Sequence, residues 1–227
     1  MTELDSFSEI LENPTDLTKG YESIRPKKEF SDSEMDAYIK SELNSNAAVD
    51  GFCLEELLAD VFNCNEEQLS IEFQIDDQIR EILTIFDENT WCDLDENQKL
   101  DTIKSLASMV GDRLGIKEMP SIRIRNDKDS YGAYNYESNE IVLSAEYISN
   151  PVDAVDTIMH ELRHAYQHYR SEIMETKEDL MFKANQDYYV SPEKLSDGSW
   201  INFMDYYNQY VEVDARAFAR IFTEALQ

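Results

Sequence analysis

The sequence predicts an α+β protein in which amphipathic helices pack around a small sheet, and three observations predict it. Residues 100–114 carry Leu100, Ile103, Leu106, Met109, Val110 and Leu114 at helical spacing. After Pro120 the period falls to two, with Ile122 and Ile124 alternating with Arg123 and Arg125. From Pro151 a longer helical pattern follows, in which Val152, Val155, Met159, Leu162, Tyr166 and Tyr169 recur every three or four residues and form the expected core stripe. With 227 residues, 42% of them hydrophobic, the chain is long enough to bury a sizeable core.

Residues 1–30 mix acids with Pro14, Gly20 and Pro26 without lasting periodicity, and are expected to form a mobile acidic arm. Residues 31–94 are expected to form an acidic, mainly helical region. It has helical patterns at 35–43, 54–62 and 76–86, the last setting Ile79, Ile82, Leu83 and Phe86 on one side. Residues 95–227 form the expected main domain. Asp95, with Gln98 three residues on, has the spacing of a capping box, and Gly115 closes that helix. The stretches around Ile122, Tyr131-Gly-Ala-Tyr-Asn-Tyr and Ile141 to Ser144 are expected to pair as a small antiparallel sheet. Asn150 then supplies an N-cap, Pro151 the first helical position and Asp153 an acid in the first turn.

Lys and Arg number 20 against 48 Asp and Glu, a formal charge of −28, so the chain has no broad basic footprint and no nucleic-acid partner is expected. The charge is uneven: residues 1–115 hold 28 acids and 9 bases, residues 116–227 hold 20 and 11. Cys53, Cys64 and Cys92 have no CxxC spacing and are expected to be buried free thiols. The first residues lack the basic start and apolar stretch of a secretory signal, and no run reaches about 18 apolar residues. A cytoplasmic protein without a membrane partner is therefore expected, although a chain exported by a signal-independent route would look the same.

The chemistry lies on the long helix. All three histidines of the chain fall within nine residues, as His160-Glu161-Leu162-Arg163-His164 followed by His168. At about 100° per residue, His160 and His164 share one face, with Glu161 beside them and the core stripe opposite. Histidines at i and i+4 can aim both imidazoles at one zinc ion. Glu161 is placed to act as general base toward a water activated by that ion. His168, roughly 12 Å from His160 along the axis, is expected at the surface or at a cleft edge.

A catalytic zinc site usually takes three protein ligands, and with no other histidine the third must be a carboxylate. Beyond Tyr210 the chain reads Val211-Glu212-Val-Asp214-Ala-Arg-Ala-Phe-Ala, with Val211, Ala215, Phe218, Phe222 and Leu226 along one helical stripe. Glu212 sits at the edge of that stripe with small Ala215 and Ala219 on its own side, which favours it as the ligand. Asp214 is nearly half a turn away and is left as an alternative ligand, a group orienting a histidine, or a surface acid.

At these residues the chain resembles the HExxH zinc metallopeptidases, the zincins, with a gluzincin-like downstream glutamate. The run His160-Glu-Leu-Arg-His-Ala-Tyr-Gln and the later Glu212-Val-Asp-Ala-Arg-Ala-Phe-Ala look like segments of the IrrE/ImmA-type peptidase group and of phage- and toxin-associated relatives in bacteria. The resemblance spans about residues 95–227. It implies a zincin-like domain with His160, His164 and Glu212 as zinc ligands and Glu161 as general base. It also implies Ile141 to Ser144 as an edge strand for an extended peptide. Arg216 stands four residues after Glu212, where the better-known gluzincin pattern has an acid. A peptidase also needs a donor for the oxyanion of the tetrahedral intermediate; of Tyr188, Tyr189, Tyr206, Tyr207 and Tyr210, most of which are expected to pack, Tyr210, two residues before Glu212, is the candidate.

The expected activity is that of a zinc metalloendopeptidase acting on a protein or peptide substrate. The alternative is an acidic interaction or inhibitor protein whose residues 1–115 bind a basic protein, the zinc site being structural or vestigial. A third reading combines them, with the N-terminal region controlling a real peptidase.

Overall fold

A computed structural model describes residues 71–126, 130–191 and 201–227, together with Leu69 and Leu195. The expected arm and the helices expected at 35–43 and 54–62 lie outside the described residues. Those described form seven α-helices and a three-stranded mixed sheet, an α+β fold. No helix among them is long and apolar enough to cross a membrane.

The chain enters through α1 (Asp77–Leu83), capped by the Asp76 carboxylate and continued by a 3-10 turn to Phe86, and then α2 (Glu88–Cys92). Ile79, Ile82, Leu83 and Phe86 are buried together, as their spacing predicts. Next comes α3 (Glu96–Leu114), with the Asp95–Gln98 capping box formed in both directions and Gly115 in the left-handed conformation at φ 73° that ends the helix.

Residue 95 does not mark a boundary in the core. Ile79, Phe86 and Trp91 share one hydrophobic cluster with Ile158, Leu162 and Phe222, and the Trp91 indole donates to the Ile148 carbonyl at 2.9 Å. These apolar side chains need the later helices to cover them. Cys92, expected to be buried, is exposed: it ends the short α2, whose buried side chain is Trp91.

The sheet contains β1 (Ser121–Arg125), β2 (Gly132–Asn135) and β3 (Glu140–Ser144), in the order β1-β3-β2. β2 and β3 form an antiparallel hairpin, but β1 runs parallel to β3, so the expected all-antiparallel sheet is corrected to a mixed one. A parallel pair needs a crossover of a dozen or more residues, and residues 126–139, which include β2, supply it. That crossover sends β2 to the far side of β3. The expected edge strand at Ile141 to Ser144 is therefore the central strand, paired on both sides and buried from Ile141 to Ser144. Among the described residues, β1 and β2 are the edge strands.

A 3-10 turn (Tyr147–Ser149) leads into α4 (Pro151–Ile173), which has Asn150 as N-cap and Pro151 at its start. Val155, Met159 and Leu162 are buried as the stripe predicts, but Val152 is 46% exposed, while Pro151 and Ala154 of the same turn are buried. The opposite face is covered too: Ala154, Thr157, Glu161, Ala165 and Gln167 are buried. Then come α5 (Lys177–Asp187), α6 (Phe203–Asn208) and α7 (Tyr210–Glu224). Val211, Ala215, Phe218 and Phe222 bury the stripe of α7 against α4 and the core.

Candidate metal centre

The site is made where the middle of α4 meets the first turn of α7. His160 and His164, one turn apart, bring their Nε2 atoms to 3.0 Å of each other. Glu212 reaches across, with Oε2 at 3.4 Å from His160 Nε2 and Oε1 at 3.6 Å from His164 Nε2. The histidine side chains are 17% and 12% exposed, so α7 and its neighbours cover the face that the helical wheel leaves open.

These three residues form a group able to hold a metal ion. The donors lie apart by 3.0 to 3.6 Å. Ligands on a tetrahedral ion at about 2.0–2.1 Å are separated by about 3.3 Å, so the spacing and the donor set of two imidazoles and a carboxylate fit such a centre. Among Glu212 and Asp214, the sequence alternatives, Glu212 is the one in the triad.

Its carboxylate is well prepared. Tyr189 donates to Oε1 at 2.7 Å and Tyr206 to Oε2 at 3.2 Å, and the first turn of α7 favours negative charge. Burial alone would raise the Glu212 carboxyl, but the facing imidazoles hold it well below the usual carboxylate range. Burial likewise works against a charged His164, yet Glu212 outweighs it and, with Glu161 and Gln167, lifts the imidazole to about 9. The Tyr206 phenol is pushed well up by burial and by the Glu212 and Glu161 charges, which keeps its proton available for donation. Glu161 is 3% exposed and lies close enough for its charge to act on both His164 and Tyr206.

Asp214 has the role of a supporting acid. Its oxygens take two bonds from Arg163, at 2.6 and 2.9 Å, and a third from Gln167 Nε2 at 2.7 Å. Gln167 Oε1 in turn lies 2.8 Å from His164 Nδ1, so Asp214 acts on a histidine through an amide. The buried Arg163 guanidinium also lies over the rings of Tyr166 and Phe218, at 4.5 and 5.1 Å.

The start of α7 is clamped from outside. Asn185 accepts from the Val211 N–H at 2.8 Å and donates to Gln209 Oε1 at 3.0 Å. Gln209 also exchanges hydrogen bonds with both backbone groups of Val190. This fastens Glu212 and the segment carrying Tyr189 to the end of α5.

Tyr210 is placed elsewhere than expected. Its ring stacks on Phe182 at 5.5 Å in a cluster with Ala184 and Val211. Residues two apart on a helix point about 200° apart, so proximity in sequence to Glu212 sends Tyr210 the other way. The phenols found on Glu212 are Tyr189 and Tyr206. His168 is half-buried beside Tyr136, at 5.3 Å between rings, away from the triad as expected of a cleft-edge residue. Arg216 stacks on the Tyr207 ring at 3.6 Å and donates to the Tyr207 carbonyl at 2.6 Å.

Helix α5 was not foreseen, although Thr176 and Asp179 carry the spacing of the capping box that is observed. With it was missed Asn185, while Tyr189 just beyond it is among the tyrosines expected to pack. Gln167 and Arg163 bear no local signal, because their roles depend on what α7 places opposite. No family model matches the chain, and neither a curated protein nor a solved structure matches it.

Proposed function

We propose that the chain is a zinc-dependent metallopeptidase of the zincin type, in which His160, His164 and Glu212 hold the ion and Glu161 is the general base. The observation that carries this reading is the convergence of His160, His164 and Glu212 beside a buried Glu161. Two imidazoles and one carboxylate favour zinc over the oxygen-seeking divalent ions. When bound, zinc supplies Lewis acidity, lowering the pKa of a coordinated water toward 7 and polarising a carbonyl.

The remaining work falls to the chain. Glu161 takes the proton of the attacking water and passes it to the leaving amine. Tyr206, buried and bonded to Glu212, keeps the ligand in place. Tyr189, half-buried with its hydroxyl beside the ligand Glu212, replaces Tyr210 as the proposed oxyanion donor. The edge strand open to an extended peptide is then β2, which approaches α4 at Thr157, three residues before His160.

The test is a peptide library incubated with the zinc-loaded, full-length protein. Cleavage that stops on chelation and returns with zinc supports the reading, and cleavage that continues in the metal-free protein refutes it.

A further inference from the structure

The geometry points to Gln167 as a positioning residue that fixes which nitrogen of His164 faces the metal; this inference rests on the metal-site reading. Gln167 is 1% exposed and sits on α4, three residues after His164. Its Nε2 has two neighbours that can only accept: the Val211 carbonyl at 2.8 Å and the Asp214 carboxylate at 2.7 Å. The carboxylate is held in place by two bonds from buried Arg163. Turning the amide over would set its oxygen against both acceptors, so its orientation is dictated by the network.

Once the amide is fixed, the rest follows by donor and acceptor bookkeeping. Gln167 Oε1, an acceptor, faces His164 Nδ1 at 2.8 Å, so Nδ1 must carry a hydrogen. In the neutral imidazole this leaves Nε2 without one, and its lone pair is directed to where His160 Nε2 and the Glu212 carboxylate converge. The Arg163–Asp214–Gln167 chain, anchored across α4 and α7, thus holds a hydrogen on Nδ1, so that the neutral form of His164 is the tautomer that binds metal through Nε2. Outer partners of this kind typically contribute 10–100-fold to metal affinity.

The test has two parts. Zinc affinity is measured by chelator competition in the full-length parent and in Gln167→Met, which keeps the length of the side chain and removes its polar ends. The variant is expected to bind zinc about 10–100-fold more weakly. On the zinc-loaded parent, nitrogen–proton correlation of labelled histidine is expected to find the His164 hydrogen on Nδ1 and the metal on Nε2. A parent that takes up no zinc overturns both the metal site and this inference. Zinc uptake with the same affinity in Gln167→Met, or with the metal on His164 Nδ1, overturns the inference alone. The tautomer reading decides the matter should the variant fail to fold.

Discussion

At the scale of single residues, His164 and Glu212 form a pair whose protons oppose the metal. The His164 pKa is raised to about 9 from an ordinary 6.5, so in the chelated protein its contribution to stability is complete below about 6.5 and is lost as pH rises through about 9. Glu212, held below its ordinary value, contributes above about 4.5 and loses that contribution as pH falls through its folded pKa. Zinc must displace the His164 proton, so its affinity should rise about tenfold per pH unit from 7 to 8, as chelator competition at the two values would detect. A flat profile would mean that His164 is already neutral. His160→Ala removes one of three ligands and should abolish stoichiometric zinc uptake, read by metal analysis of the purified protein. The motif residues are legible in the sequence because their relation is local, one turn of one helix. Tyr189, Tyr206 and Gln167 are not: the two phenols meet Glu212, and the Gln167 amide meets Val211 and Asp214, across contacts between elements that no spacing encodes, although Gln167 lies one turn from His164. The Tyr210 ring packs on Phe182 for the same reason: closeness along a helix is not closeness across it.

At the scale of elements, the approach of α7 and β2 to α4 sets the geometry. Arg163 and Asp214 are a buried pair bridging α4 and α7. Arg163→Ala leaves a buried carboxylate without its counter-charge and should cost about 3–5 kcal/mol, measured by denaturant unfolding. On the other side, a Cβ added to Gly132 would fall 2.6 Å from Thr157 Cγ2 and 3.3 Å from the Val142 carbonyl. Thr157 is short and β-branched, so it cannot move aside as a longer chain would. Gly132→Ala should therefore destabilise by about 1–3 kcal/mol, and Thr157→Ala added to it should recover part of the loss. The helices were readable from caps and periodicity: Asp95 with Gln98, Gly115, and Asn150 with Pro151 all stand at the observed ends. The order of the strands was not, because alternation marks a strand without naming its neighbour. Only the crossover through β2 makes β3 central.

At the scale of the whole molecule, the charge of −28 separates from the site: about two thirds of the acidic excess lies in residues 1–115, whereas His160, His164 and Glu212 lie in the less acidic half. The earlier residues are not all dispensable, however. Truncation at residue 95 would remove Ile79, Phe86 and Trp91 from the shared core, and should abolish cooperative unfolding followed by circular dichroism. An N-terminal inhibitory role has to be tested by cutting before residue 71. The central claim, that Glu161 moves the proton in a metal-dependent peptide hydrolysis, is tested most directly by comparing the zinc-loaded parent with Glu161→Gln, measuring zinc content and peptide cleavage on the same samples. The account predicts about one zinc per chain in both and cleavage slowed by about 10²–10⁴-fold in the variant; a Glu161→Gln protein that cleaves as fast as its parent would contradict it.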